Sequence, residues 1–202
     1  MAYRGPKVKV SRRLGLAITP KAQKGLELRP HPPGQHGKSR RPSKISDYGK
    51  QLLEKQRLRY QYNLGERQLR NYARKALQAK GNAQDNLLHL LESRLDALVL
   101  RAGLARTIHA ARQYVVHGHV RVNGKKVDVP SYPVKPGDKV SLRAKSRDLE
   151  CFDYALQQAS PIPYISVDKD GREFVVNYVP QRDEVPVVCD LPLVIEFYSR
   201  MA

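Results

Sequence analysis

The chain has 202 residues, with 37 lysine and arginine residues against 19 aspartate and glutamate residues and a net charge of +18. This length allows one or two small domains, and so basic a balance favours nucleic acid as a partner over an anionic membrane surface. No stretch approaches the ~18 apolar residues of a membrane span, and the basic N-terminus lacks the apolar core of a signal peptide, so we expect neither.

The charge is unevenly distributed along the chain. Residues 1–80 hold 21 basic and 4 acidic side chains, residues 94–147 hold 12 and 3, and residues 148–202 hold 4 and 10. We therefore expect phosphate contacts in the first two segments and contacts with protein in the acidic third. Cys151 and Cys189 lack CxxC spacing, which indicates reduced thiols in a cytoplasmic protein and no metal site.

Residues 1–43 are rich in proline and glycine, and their cations follow no helical period. The stretch 31–37, HPPGQHG, favours neither helix nor strand. We predict an extended basic arm that becomes ordered when phosphates neutralise its charge. Its candidate RNA contacts are Arg12, Arg13, His36, Lys38, Arg40 and Arg41.

Residues 44–92 have helical periodicity and predict a helical domain. The first helix begins at Ser46 or Asp47, and Asn63 is expected to cap the second in a capping box with Glu66. The apolar face of the first helix is assigned to Ile45, Tyr48, Leu52, Leu53 and Tyr60. That of the second is assigned to Leu69, Tyr72, Ala73, Ala76 and Leu77. A third helix is predicted from Gln84 to Ala102. The basic candidates on the first two helices are Lys50, Lys55, Arg57, Arg59, Arg67, Arg70 and Arg74.

Residues 104–129 predict a short helix followed at once by a β-hairpin. Thr107 is placed to cap the helix, whose apolar stripe is Ile108, Ala111, Val115 and Val116, and Gly118 is placed to end it. Asn123-Gly124 fits a type I′ turn, which pairs Arg121 with Lys126 and Val122 with Lys125. Val120, Val122, Val127 and Val129 would then cover a core. The opposed cations Arg121 and Lys126 repel each other, so a polyanion would stabilise them, although a solvated face is an equally good interpretation.

The remaining segments predict a mixed α+β pattern. Pro136–Asp138 forms a turn into a strand at 139–143, and residues 149–159 form an amphipathic helix. Residues 165–167 and 173–179 are expected to form a hairpin, and residues 193–198 either a strand or a buried extension.

Enzyme motifs are missing from the sequence, which has no P-loop, GxSxG, HExxH or dinucleotide fingerprint. His117 and His119 form an HxH pair, which is rarely a metal site without a third ligand; phosphate or base contact and plain polar surface remain open. Tyrosines 48, 60, 62 and 72 alternate with cations, and both base stacking and core packing explain them.

Six blocks of the sequence are distinctive: PPGQHG (32–37), SDYGKQLLEKQRLRYQY (46–62), ERQLRNY (66–72), LLESRLDALVLRAGLA (90–105), ARQYVVHGHVRVNGKKVDVPSY (111–132) and IEFYSR (195–200). Together these blocks closely resemble the bacterial small-subunit ribosomal protein four (S-four) family. Many members carry a cysteine cluster for zinc, but residues 13–31 contain no cysteine, so the chain resembles the zinc-free form and needs no cofactor.

The resemblance implies a structural component of the cytoplasmic ribosome that binds small-subunit ribosomal RNA directly and nucleates assembly of the subunit body. It also implies contacts with small-subunit protein five and with mRNA where it enters the ribosome, and an effect on decoding accuracy. An RNA-binding domain, residues 93–179 with an αL core at 93–147 and a small antiparallel sheet, would interrupt the helical domain of residues 44–92 and about 180–202. The RNA-binding residues implied there are Arg94, Arg106, Arg112, Gln113, His117, Gly118, His119, Arg121, Asn123, Lys125 and Lys126.

Two other functions are less well supported. An RNA-modifying enzyme could hold its substrate with the same module, but it needs a separate catalytic domain, and the remaining sequence shows none. A helix-turn-helix DNA regulator does not fit the hairpin that directly follows the short helix, or the diffuse basic N-terminus.

Overall fold

The structure is a computed structural model that describes residue 3 and residues 5–38, 44–160, 162–168, 170 and 172–200. These residues form two compact units. One comprises the described residues of Met1–Asn86 and Val187–Ala202, and the other those of Leu87–Pro186. The architecture is α+β, as predicted. Among the described residues, no helix is long and apolar enough to cross a membrane.

Along the described residues, most of the helices precede the first strand, and the remaining ones lie between and after the strands. The α-helices of the described residues are α1 (Lys7–Leu14), α2 (Pro20–Leu28), α3 (Asp47–Gln61), α4 (Glu66–Gln78), α5 (Ala83–Glu92), α6 (Leu95–Arg101), α7 (Ile108–Val116), α8 (Glu150–Gln157) and α9 (Leu191–Ser199). The strands are β1 (Val120–Val122), β2 (Lys125–Lys126), β3 (Lys139–Leu142), β4 (Ile165–Asp168) and β5 (Glu173–Val176). Short 3₁₀ turns lie at Gln35–Lys38, Ala144–Ser146 and Arg182–Glu184.

The N-terminal segment is largely helical, so the prediction of an extended arm is wrong over α1 and α2. Gly15 ends α1 at φ 64°, in the left-handed region. Thr19 caps α2 by accepting a hydrogen bond from the Ala22 amide at 3.3 Å. Leu14 and Ala22 are buried. Capping and burial therefore stabilise helices that the scattered cations of the sequence did not reveal.

Helix α3 begins after the Ser46 cap, as predicted, but buries a different face. Its buried residues are Gln51, Glu54, Lys55 and Leu58. Of the residues assigned to the apolar face, Tyr48 and Ile45 are 55% and 53% exposed. The face is reversed because the charges on α3 find partners inside the first unit, which sequence periodicity does not register.

Two further predictions in the first unit are corrected. Asn63 has φ 49° and lies before the true N-cap of α4, Gly65, which makes no side-chain capping bond, so the capping box is wrong. Residues 193–198 are neither strand nor extension. They belong to helix α9, which buries Val194, Phe197 and Tyr198 against α3 and α4.

The predicted helix from Gln84 to Ala102 is broken in two. Helix α5 ends at Glu92 and α6 begins at Leu95. Between them the Leu95 amide donates to the Tyr132 carbonyl at 3.0 Å, and the Ser93 carbonyl accepts from the Val134 amide at 2.8 Å. These bonds with a distant segment replace the helical ones, and no local sequence signal predicts them.

The second unit contains an antiparallel five-stranded sheet in the order β2-β1-β3-β5-β4. The predicted hairpin register is confirmed, since Arg121 faces Lys126 and Val122 faces Lys125. Asn123 and Gly124 have φ values of 48° and 77°, as a type I′ turn requires.

The core of the second unit lies under one face of this sheet. It includes Val120, Val122, Val140, Leu142 and Phe174, which are all at most 3% exposed. Val129 was expected to join them but is 51% exposed, because strand β2 ends at Lys126. The turn before β3, helix α8 and the β4–β5 hairpin are confirmed.

Candidate nucleic-acid interface

Helix α7 and the β1–β2 hairpin position a group of cations in the second unit. Thr107 caps α7 by accepting from the Ala110 amide at 3.1 Å, and Gly118 ends it at φ 71°, as predicted. The hairpin follows within two residues, and Val120 and Val122 hold it on the core. Val116, expected in the apolar stripe of α7, is instead 53% exposed. The exposed polar residues of this group are Gln113, His117, Arg121, Lys125 and Lys126.

Gly118 lets the Lys126 side chain lie close to the end of α7. A Cβ atom built on Gly118 would lie 2.6 Å from Lys126 Cε, closer than atoms can approach. The helix C-terminus carries partial negative charge, so it favours a nearby ammonium group. Gly118 was predicted to be an RNA-binding residue. In the structure it contributes to the interface by leaving room for the Lys126 side chain.

The two histidines have different environments. The His117 side chain is exposed, whereas His119 lies 2.9 Å from Ser146 Oγ through Nδ1 and approaches Phe152 edge-on. Partial burial, Arg143 and His117 all lower the pKa of His119. The ring is therefore neutral at pH 7 and would serve a ligand as a hydrogen-bonding group, not as a cation.

Asn123 positions the turn through both polar atoms of its side-chain amide. Its side-chain oxygen accepts from the Lys139 amide at 2.9 Å, and its side-chain nitrogen donates to Asp138 Oδ1 at 2.8 Å. Hydrogen bonds from the Lys135 amide and from Asn123 lower the pKa of Asp138. Asn123 therefore has a structural role in the hairpin, and because its side chain is exposed, its contact with RNA stays a prediction.

Arg94 is wrong as a candidate RNA contact because it is buried. It is 1% exposed and bonds Asp96, which is 0% exposed, through Nε at 3.0 Å and Nη2 at 2.6 Å. Asp96 is thus paired with an arginine inside the second unit. Arg112 has both a structural contact and an accessible side chain. Its Nη1 lies 3.7 Å from Asp96, and its side chain is 25% exposed.

Arg106 is exposed and stacks on an aromatic ring that sequence reasoning missed. Its guanidinium carbon lies 4.5 Å from the ring centre of Tyr154, which is 46% exposed. Such stacking holds a guanidinium group flat on the ring. Tyr154 lies in the acidic C-terminal segment, and only its spacing on the amphipathic helix α8 could have suggested that it faces outward.

Three further exposed cations follow β3: Arg143, Lys145 and Arg147. The Arg143 amide donates to the His119 carbonyl at 2.8 Å, so the backbone places this residue beside the hairpin. Their charge is evident in the sequence, but their position depends on the pairing of β1 with β3. These residues extend the candidate site beyond the predicted set.

In the first unit, helix α4 presents a basic stripe. Arg67, Arg70 and Arg74 are exposed on the side opposite the buried Leu69 and Ala73. Lys75, omitted from the prediction, is exposed on the same helix. The i, i+3 and i+7 spacing aligns the three arginines along one face, which suits a row of phosphates.

The cations of α3 serve the fold more than a ligand. Lys55 is wrong as a contact residue: it is 4% exposed, lies 2.9 Å from Glu66 and sits over the Phe197 ring. Arg57 bonds Glu54 and the Leu14 carbonyl. Arg59 pairs with Glu66 at 3.3 Å.

Lys50 and Tyr48 remain exposed on α3. Lys50 pairs with Asp47 at 3.0 Å with 58% of its side chain accessible, and such a surface ion pair leaves the ammonium available to a phosphate. The Tyr48 ring lies 5.8 Å from Phe197 and is 55% exposed. Both therefore stay in the candidate set.

Near the N-terminus, too, one candidate contact residue holds the fold and others have exposed side chains. The Arg12 guanidinium donates to the carbonyls of Arg29, His31 and Pro32 at 3.1, 3.1 and 3.4 Å, so it fixes the chain there. Other candidates in this segment have exposed side chains: Arg13, His36 and Lys38. The predicted contacts Arg40 and Arg41 lie outside the described residues.

The described residues contain no cluster of three or more histidine, cysteine or acidic side chains that could hold a metal ion. What the geometry offers is exposed cations, a neutral histidine and a stacked arginine. These are features of a nucleic-acid-binding protein.

Comparison with known proteins identifies the family. Residues 2–92 match the Ribosomal protein S4/S9 N-terminal domain, and residues 93–140 match the S4 domain. The small ribosomal subunit protein uS4 of Streptomyces avermitilis is 50% identical over 200 residues, which cover 96% of this chain and 97% of that protein. The uS4 proteins of Chlorobaculum tepidum and Micrococcus luteus are 48% and 49% identical, over 98% and 96% of this chain and 98% and 95% of their own lengths.

The chain belongs to the small ribosomal subunit protein uS4 family, and the predicted resemblance is confirmed. Membership makes it a structural component of the ribosome in the cytoplasm and not an enzyme.

Proposed function

We propose that the protein binds small-subunit ribosomal RNA directly through exposed cations of both units. The observation that carries this proposal is the pair Arg121 and Lys126, held directly opposite each other on an exposed sheet face. Opposed like charges destabilise a hairpin by up to about 1 kcal/mol, which a phosphate between them would reverse. The αL core at 93–147 is the proposed centre of an RNA-binding domain, 93–179, inserted into the helical domain.

The proposed contact set follows from the geometry of each unit. It keeps the predicted residues whose side chains are accessible and leaves out those assigned to the fold, namely Arg12, Lys55, Arg57, Arg59, Arg94, Gly118 and Asn123. The predicted Arg40 and Arg41 lie outside the described residues. The retained residues are Arg13, His36, Lys38, Tyr48, Lys50, Arg67, Arg70, Arg74, Arg106, Arg112, Gln113, His117, His119, Arg121, Lys125 and Lys126.

Affinity should come mainly from neutralised phosphates, since each lysine or arginine that meets a phosphate releases condensed counterions. Shape and a few hydrogen-bonded or stacked groups would add selectivity, because the deep groove of an RNA helix is closed to side chains. His119 and the Arg106–Tyr154 pair are suited to the hydrogen-bonded and stacked contacts.

The test is filter binding of the full chain to naked small-subunit ribosomal RNA over a range of salt concentrations, with nuclease footprinting of the complex. We expect the logarithm of the association constant to fall with the logarithm of salt concentration at a slope of magnitude at least about 5. A flat salt response, or equal affinity for an unrelated structured RNA, would refute the proposal.

Family membership also supports finer roles. We propose that the protein binds early and nucleates assembly of the subunit body, contacts small-subunit protein five and the mRNA where it enters the ribosome, and influences decoding accuracy. An early binder needs no other protein to hold its RNA. Protection of the same nucleotides with and without the other small-subunit proteins would agree with this role, and protection that requires them would contradict it.

A further inference from the structure

The outer face of the sheet, opposite the core, carries a row of charges that changes sign across the strands. The strand register places Lys126, Arg121, Ser141, Glu173 and Asp168 side by side on β2, β1, β3, β5 and β4. Two opposed cations stand at one end of this row, and two opposed anions stand at the other. The sheet face is therefore electrostatically divided at β3.

The distances along this row affect where a phosphate of the RNA can lie on the sheet face. Neighbouring strands lie about 4.8 Å apart, so Glu173 is roughly 10 Å from Arg121, about one Debye length at ~0.1 M salt. A phosphate held by Arg121 and Lys126 lies about one Debye length from Glu173, where the electrostatic interaction is largely screened. A phosphate that lay one strand further along, on β3, would be closer than one Debye length to Glu173.

Glu173 also holds the next available cation on this face. Its carboxylate forms an ion pair with Lys139, a residue of β3, and its side chain is 21% exposed against 55% for Lys139. Lys139 is thus exposed but already neutralised. Asp168, directly opposite Glu173, adds a second negative charge at the same edge.

We propose that Glu173, supported by Asp168, is a specificity-determining residue that confines the RNA backbone to the β1–β2 side of the sheet. It would do so by holding Lys139 in the ion pair, so that this lysine does not bind a phosphate, while the negative charge that Asp168 adds at the same edge repels phosphates. This inference rests on the proposed function and adds a boundary to its RNA path, one set by repulsion.

The test compares Glu173→Gln with Glu150→Gln in the full chain, using the same naked small-subunit ribosomal RNA. Glu150 is an exposed carboxylate on α8, off the sheet, so its substitution matches the change in net charge. We expect Glu173→Gln to bind roughly fivefold more tightly at ~0.1 M salt, with a salt slope steeper by about 0.7 to 0.9, as one added phosphate contact requires. Its footprint should lengthen. Glu150→Gln should change binding less than about twofold.

Two further variants make the result decisive. Adding Lys139→Gln to Glu173→Gln should remove the gain in affinity, and Asp168→Asn, at an exposed position, should give a smaller gain of the same sign if Glu173→Gln does not fold. Equal effects of Glu173→Gln and Glu150→Gln, or an unchanged footprint, would overturn the boundary. The wild-type salt slope is measured in the same series, so failure of RNA binding itself would be seen separately.

Discussion

Replacing Glu66 by glutamine should destabilise the first unit without touching its exposed cations. Glu66 accepts hydrogen bonds from Lys55 at 2.9 Å, Arg59 at 3.3 Å and the Tyr198 hydroxyl at 2.9 Å. It therefore connects α3 and α4 to α9. The glutamine side chain keeps the shape but removes the negative charge that pairs with Lys55.

The magnitude follows from burial. Removing one partner of a buried ion pair costs about 3–5 kcal/mol, and the Lys55 side chain is 5% exposed. The Glu66 side chain is 34% exposed, so solvent screening reduces the expected loss to about 2 kcal/mol. At about 2–4 °C per kcal/mol for a chain of this size, the Tm should fall by roughly 5 °C.

The pH dependence gives a sharper test. Burial raises the pKa of Glu66, but hydrogen bonds from Lys55 and Tyr198 and the charges of Lys55 and Arg59 outweigh it, so the net pKa lies below the ordinary 4.5. A depressed carboxyl pKa stabilises the fold above the unfolded value and loses that stabilisation as pH falls through the folded one.

The assay is thermal unfolding of both proteins between about pH 3 and pH 7, followed by circular dichroism. The Tm difference should be full at pH 7 and should vanish at acid pH, where wild-type Glu66 is protonated and resembles glutamine. A difference that persisted at the lowest pH would show that the glutamine perturbs packing, and it would refute the ion-pair argument.

Other substitutions separate residues of the fold from residues of the interface. Arg94→Ala should lower stability by about 3 kcal/mol in urea unfolding, because Asp96 would be left buried without its main partner, and an unchanged midpoint would contradict that assignment. Gly118→Val should cost about 2 kcal/mol, since a β-branched residue is strained at φ 71°, and Gly118→Ala should cost less. Asn123→Ala should lose about 1 kcal/mol of stability while leaving the affinity for RNA unchanged; weaker RNA binding would return Asn123 to the contact set.

The elements predicted correctly are those whose signals are local. The turn residues Asn123 and Gly124 fix the register of β1 and β2 by their own backbone preferences, and Thr107 and Gly118 mark both ends of α7. The placement of candidate contact residues was predicted best here for the same reason. A correct register places Arg121 and Lys126 on the outer face without any knowledge of the rest of the unit.

The sequence-based predictions are wrong where residues far along the chain determine whether a side chain is buried or where a helix ends. Charge alone cannot distinguish Lys55 from Lys50, although one is buried against Glu66 and the other is exposed. The break before α6 depends on hydrogen bonds from residues 130–134, far along the chain. The role of Glu173 likewise depends on two strand pairings between separate segments, Arg121 with Ser141 and Ser141 with Glu173, which are 20 and 32 residues apart.

The central claim is that exposed cations on the outer sheet face hold RNA phosphates. The most direct test is the salt dependence of ribosomal RNA binding by the double variant Arg121→Gln, Lys126→Gln, with Arg200→Gln, an exposed arginine of the first unit at the end of α9, as the control. Loss of two phosphate contacts should reduce the magnitude of the salt slope by about 1.4 to 1.8 and weaken binding at least ~30-fold at ~0.1 M salt, with a Tm that is not lowered, because removing the opposed charges relieves their repulsion. A slope equal to that of wild type and the control would contradict the claim.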